Sequence, residues 1–217
     1  MAFEKPCALG CAEARPDTPT IIEFLLDETG SMSGCAASVV SGFNDFVSEQ
    51  RATGGKCLLT LTKFDTSGIK TPYIDLSVHM VPTMTHAMFT PGGGTNLYDT
   101  IGGRMAALTE RLGQWEHKPN VLFVVMTDGG DNASTLPAEA VRSNIVHMTT
   151  EHNWSFVYLG AHAHALEVAD KLGFAPGNSK QFKATEMRET MQDLAKATKA
   201  YRQKGGFHTS DDFFAGK

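Results

Sequence analysis

The chain has no apolar stretch that could span a bilayer. Its longest apolar run, Val121 to Met126, falls far short of the roughly 20 residues a membrane helix needs. The opening residues, Met1-Ala2-Phe3-Glu4-Lys5-Pro6, lack the apolar core of a secretory signal, so a cytoplasmic protein without membrane association is expected. Cysteine is scarce: only Cys7, Cys11, Cys35 and Cys57 occur in 217 residues. Without an export signal they are expected to be reduced thiols rather than a disulfide framework. Cys7 and Cys11 have no further Cys or His at zinc-site spacing. No run of Lys or Arg occurs, and the formal net charge is −5, which argues against non-specific nucleic-acid binding. There is also no Gly-x-x-x-x-Gly-Lys-Ser/Thr phosphate loop, so the chain is not an ATPase by itself.

What remains is ordinary globular composition, 41% hydrophobic and 20% charged, and a length that suits one α/β domain. Residues 1–20 are rich in Pro, Ala and Thr and are expected to form a tail. Ile21–Leu26 is a short apolar strand. Met32–Gln50 carries Val39, Phe43, Phe46 and Val47 at helical spacing. Cys57–Phe64 and Tyr73–Val81 alternate as strands about a Thr66-Ser67-Gly68 turn, and Pro72 opening the second favours an edge hairpin. Leu97, Ile101, Met105, Leu108 and Leu112 form a second helical stripe. Val121–Met126 reads as a strand buried on both faces. A helix over Pro137–Thr150, a strand over Trp154–Leu159, a short helix over His164–Leu172 and a short strand over Gln181–Ala184 follow. Met187, Met191, Leu194, Thr198 and Tyr201 mark a last helix. The domain is expected over 21–203, with a second tail over 204–217 that Phe207, Phe213 and Phe214 could dock. Alternating strands and helices define an α/β fold, a doubly wound, mostly parallel sheet with helices on both faces.

Three segments carry oxygen-bearing side chains in a definite order. Asp27, Thr29 and Ser31 follow the first strand, Thr95 follows Gly92-Gly93-Gly94, and Asp128 follows the Val121–Met126 strand. In such sheets ligands bind beyond the carboxyl ends of the strands, where Asp27 and Asp128 should both stand. Asp27, Thr29 and Ser31 alternate along an extended loop, so their side chains can share one side, and Ser31 or Ser33 can cap the helix that follows. Two carboxylates and three hydroxyls, with no Cys or His among them, form a hard donor set that suits Mg²⁺, with Mn²⁺ or Ca²⁺ as alternatives.

With these residues the sequence resembles the von Willebrand factor type A family. The metal-ion-dependent adhesion site of that family reads Asp-x-Ser-x-Ser, a distant Thr and a later Asp. The matching positions are Asp27, Thr29, Ser31, Thr95 and Asp128, with Thr29 in place of the commoner serine. Thr95-Asn96-Leu97-Tyr98-Asp99, Thr127-Asp128-Gly129 and Tyr158-Leu159-Gly160-Ala161 resemble small bacterial and phage members. The resemblance covers residues 21–203. It implies a six-stranded sheet with one antiparallel edge strand, and a metal whose open position takes a partner's carboxylate. Intracellular members often accompany separate AAA+ ATPases, which makes such an ATPase a candidate partner.

Other readings stand beside this one: a metal-dependent hydrolase acting on phosphoesters, and a scaffold whose metal only stiffens loops. A phosphatase of the haloacid dehalogenase type needs a second carboxylate at position 29, where this chain has Thr29. Gly30-Ser31-Met32-Ser33-Gly34 has Met32 where a nucleophile elbow needs serine. Glu28 is expected to point away from the ligand positions, into solvent or toward a partner. Glu28, Met32 and the Gly92-Gly93-Gly94 loop are expected to frame the partner contact. Asp65 and Asp99 are expected to be local hydrogen-bonding groups, and His162 and His164 a structural or solvent-facing pair rather than zinc ligands.

Overall fold

The computed structural model describes residues 18–206 and 213–214. Its strands are β1 (Thr20–Asp27), β2 (Cys57–Asp65), β3 (Gly68–Ser77), β4 (Asn120–Thr127), β5 (Ser155–Gly160) and β6 (Ser179–Gln181). The helices are α1 (Ala36–Ala52), α2 (Leu97–Leu112), α3 (Ala138–His152), α4 (Ala165–Lys171) and α5 (Met187–Gln203). The sheet order is β3-β2-β1-β4-β5-β6. Every neighbouring pair is parallel except β2 and β3. The expected antiparallel edge hairpin is therefore present.

β1 shows how the sequence builds two layers. Ile22, Phe24 and Leu26 pack with α1 and α5, while Ile21 and Leu25 pack with α2, α3 and α4. Both faces are covered, so β1 and β4 are buried throughout. The chain leaves β1 toward β2 on one side and reaches β4 on the other. That reversal opens a crevice at the carboxyl ends of β1 and β4.

Glu23 departs from the apolar pattern. It is fully buried in mid-β1, and Arg104 and Arg111 of α2 reach its two oxygens at 2.8 and 2.9 Å. Arg111 also pairs with Asp75 of β3 at 3.0 Å. Burial outweighs the two guanidiniums and pushes the Glu23 carboxyl above its usual value. The cluster pins α2 to the sheet at one register.

Several boundaries differ from the sequence reading for local reasons. β3 begins at Gly68 rather than Tyr73, because Asp65 accepts hydrogen bonds from the Ser67 amide at 2.6 Å and from its hydroxyl, closing a tight turn. Pro72 therefore sits inside β3, where an edge strand tolerates its missing N–H. Asp75 bulges there with φ 48°, its amide held by the Thr60 hydroxyl at 2.9 Å. A 3₁₀ turn, Gly30–Cys35, precedes α1. Neither serine caps it: Ser33 donates to the Gly30 carbonyl at 2.6 Å and Ser31 turns to Asp128. The last strand ends at Gln181, since Ala184–Glu186 already forms a 3₁₀ turn leading into α5.

Phe213 and Phe214 pack against the α1/α5 layer, and the Phe213 amide donates to Asn178 Oδ1 at 3.1 Å. Phe207, Cys7 and Cys11 lie outside the described residues. Among the described residues no helix is long and apolar enough to cross a membrane. Cys35 and Cys57 are free and buried. Burial pushes each thiol up to about 11, aided at Cys35 by the negative charge of Asp128 and Asp27. Native protein at pH 8 should therefore label at neither residue while denatured protein labels at both, read by mass spectrometry after a short alkylation pulse. Fast native labelling of either would show that its segment opens.

Candidate metal centre

Asp27 ends β1 with its carboxylate on the α2 side and no exposed surface. The Thr29 amide donates to Asp27 Oδ1 at 2.8 Å, and the Thr127 hydroxyl donates to Oδ2 at 2.5 Å. Thr29 Oγ1 lies 3.1 Å from Ser31 Oγ, and Ser31 Oγ donates to Asp128 Oδ1 at 2.6 Å. Asp27, Thr29, Ser31 and Asp128 thus form one hydrogen-bonded chain across the crevice. Thr127, known from the sequence only as part of the Thr127-Asp128-Gly129 segment and with no role assigned, braces it through its hydrogen bond to Asp27.

Thr95 arrives from the loop before α2. Its amide donates to Asn132 Oδ1 at 2.8 Å, and its carbonyl accepts from the Asn132 and Ala133 amides at 3.0 and 3.1 Å. A Cβ at Gly129 would stand 3.6 Å from Thr95 Oγ1, which places this hydroxyl beside the Asp128 loop. The glycines let the loops meet. A Cβ at Gly94 would come 2.9 Å from Asn132 Oδ1, and one at Gly93, which has φ +67°, 2.7 Å from Thr66 Oγ1.

Glu28 contradicts its expectation. It is fully buried rather than solvent-facing. Lys63 reaches its Oε1 at 2.6 Å, Lys70 its Oε2 at 3.2 Å, and the Thr90 amide its Oε1 at 2.8 Å. Its carbonyl accepts from the Gly92 amide at 2.9 Å, and Lys63 also donates to the Met88 carbonyl. Two lysines and the Thr90 amide converge here and offset the cost of taking this carboxylate out of water. Glu28 therefore ties the loop that carries Thr95 to the end of β1. Met32 is also fully buried, packed under its own turn. The surface framing the crevice is instead Gly30, Ser31, Ser33, Gly93, Gly130 and Asn132, all exposed. Glu28→Gln should keep the fold yet weaken divalent-metal affinity about tenfold by loosening Thr95, as groups supporting metal ligands do. Calorimetric titration with Mg²⁺ or Mn²⁺ reads this, and unchanged affinity would confine Glu28 to stability.

Asp65 and Asp99 serve locally, as expected. Asp65 closes the β2–β3 turn, and Asp99 accepts from the Thr135 and Leu136 amides, which hold its carboxyl below the usual value. His164 is exposed and lies 3.2 Å from Glu167. His162 is half-buried and held below the usual value, first by burial and then by His164.

The donor chemistry fits a hard cation. No ion pair reaches Asp27 or Asp128 among the described residues. Burial, with the nearby charge of Asp128, pushes the Asp27 carboxyl up. Among the described residues no three His, Cys, Asp or Glu side chains converge, so hydroxyls must complete any metal shell here. Three shielded polar atoms lack a hydrogen-bond partner: Asn96 Oδ1, next to Thr95; Tyr158 Oη of β5; and His162 Nε2, just past the end of β5. Each can accept a hydrogen bond, as the water-rich shell of an ion such as Mg²⁺ requires.

The fold, with its five-strand parallel run, antiparallel edge and crevice, is that of a von Willebrand factor type A domain. No family model matches the sequence, and no curated protein matches it. Solved structures do. The chain is similar to proximal thread matrix protein 1 from the mussel byssus with a zinc-occupied MIDAS motif, at 14% identity and TM-score 0.58, over 82% of this chain and 48% of that one. It is similar to a von Willebrand factor type A protein from Catenulispora acidiphila at 14% identity and TM-score 0.56, over 84% and 43%. It is similar to the manganese-loaded TRAP protein of Plasmodium vivax at 13% identity and TM-score 0.54, over 79% and 71%. The chain spans about half the length of the mussel protein. At these identities the likeness establishes the fold.

Proposed function

We propose that the chain is a divalent-cation-dependent protein-binding module. Asp27, Thr29, Ser31, Thr95 and Asp128 would hold Mg²⁺, Mn²⁺ or Ca²⁺ at the carboxyl ends of β1 and β4. The observation that carries this reading is the joining of two carboxylates, unpaired with any base among the described residues, to a chain of hydroxyls. The neighbours named for zinc and manganese support it.

A cation held there supplies an electron-poor open side to which a carboxylate oxygen can bind. Ser31, exposed at the crevice rim, sets that side toward solvent. Asp27, buried and fixed by Thr29 and Thr127, would supply a charged, immobile ligand from the floor of the crevice. The preferred partner is a protein presenting Asp or Glu, because a neutral group gains much less from the same position. Gly30, Gly93 and Gly130 keep the rim low and allow close approach.

The test is capture of partners from the native cell extract under four conditions: with Mg²⁺, with chelator, and with the Asp27→Ala and Thr95→Ala variants. Partners should appear only in the first. Partners retained in all four would place the binding surface elsewhere. Turnover of a generic phosphoester that depends on Asp27 would instead favour a hydrolase.

A further inference from the structure

A cavity of about 460 Å³ lies on the α1 side of the β2–β3 hairpin, outside the metal crevice. Its body is apolar, built from Leu61, Pro72, Met84 and Ala87. Its polar end consists of Lys63, Lys70, Met88 and Thr90, the same four residues that clamp Glu28 or each other. The volume falls within the range of small-molecule sites.

The charge presented by this end is positive. The Lys70 side chain is 49% exposed, whereas its carboxylate partners Glu28 and Asp65 are 1% and 5% exposed. The acids are turned inward, while the Lys70 side chain that pairs with both stays half exposed to solvent. Lys70 sits 3.2 Å from Glu28 and 3.8 Å from Asp65, loose enough to take a further acceptor.

We propose that this cavity binds a small amphiphile with one anionic head, the head on Lys70 and Lys63 and the apolar body on Leu61, Pro72 and Met84. Such a head competes with Glu28 for its lysines. A carboxylate left buried without its lysines is costly, so Glu28 must shift and carry with it Thr90 and the loop that presents Thr95; occupancy therefore weakens metal binding, and metal weakens occupancy by the same factor. This coupling rests on the metal reading above; the binding itself does not.

The probes are octanesulfonate and octanol, titrated calorimetrically into metal-free protein. Octanesulfonate should bind about fivefold or more tightly than octanol, the worth of a partly screened ion pair. Lys70→Met, which keeps the stem and removes the charge, should erase that difference. Ala87→Trp, at an exposed wall position, should fill the cavity and abolish binding of both. Saturating octanesulfonate should weaken Mg²⁺ affinity about fivefold. Equal binding of the two probes, binding of neither, or octanesulfonate binding that survives Ala87→Trp overturns the proposal. Self-association that Ala87→Trp removes would give the cavity to a second copy and overturn it as well. A chain that binds no Mg²⁺ sinks the metal reading and the coupling, while the probe titrations still decide the cavity.

Discussion

Asp27→Asn should abolish measurable binding of Mg²⁺ and Mn²⁺ while the protein stays folded. The asparagine side chain is nearly the same shape: its oxygen can still accept from the Thr29 amide, which holds Asp27 at 2.8 Å, and its NH2 can donate to the Thr127 hydroxyl, which then donates to the Gly129 carbonyl 3.1 Å away. What disappears is one of two negative charges in a site otherwise made of hydroxyls. Hard-cation affinity follows the count of charged ligands, so a loss of about a hundredfold or more is expected. In the metal-free state the change should be neutral or stabilising, since a buried charge near Asp128 is removed. Calorimetry and a thermal melt in chelator test both halves. Intact metal binding would show that the cation sits elsewhere. A melt that collapses would make Asp27 a structural residue.

Glu23→Ala should do the reverse. It leaves Arg104 and Arg111 without their shared carboxylate, and the Arg104 side chain is only 11% exposed. Breaking one side of a buried ion cluster costs about 3–5 kcal/mol. For a domain of this size that lowers the melting temperature by roughly 6–20 °C. Metal affinity of the surviving folded protein should change little, because the site is carried by the loops beyond the strand. Urea unfolding is the direct measurement. A loss under about 1 kcal/mol would mean that α2 is held by its apolar stripe alone. Together the two variants separate the residues that hold the fold from those that hold the ion.

Much of this division is legible in the sequence because periodicity is a local signal. β1 and β4 are announced by short apolar runs, and α2 by Leu97, Ile101, Met105 and Leu108, all buried. Asp27 and Asp128 at strand ends, with Thr95 after its glycines, can be found from residue type and position. Residues whose role depends on pairing across the sheet could not be found this way. Glu28 reads as an exposed acid until Lys63 and Lys70 come from two other strands to meet it. Glu23 has its partners 81 and 88 residues away. Thr127 shows nothing until Asp27 stands beside it. β3 starts earlier than its alternation suggests, because the side-chain-closed turn at Asp65 and Ser67 takes fewer residues than its composition implies.

The outer margin of the sheet has a consequence for how molecules of this kind can meet. β3 lacks a donor at Pro72 and breaks its line at the left-handed Asp75, so its free backbone cannot template another strand. Along this edge, crowded copies therefore meet no continuous seam on which to fuse into a shared sheet. Whatever this protein recognises on that side must be read through side chains, and such contacts can be released as readily as they form.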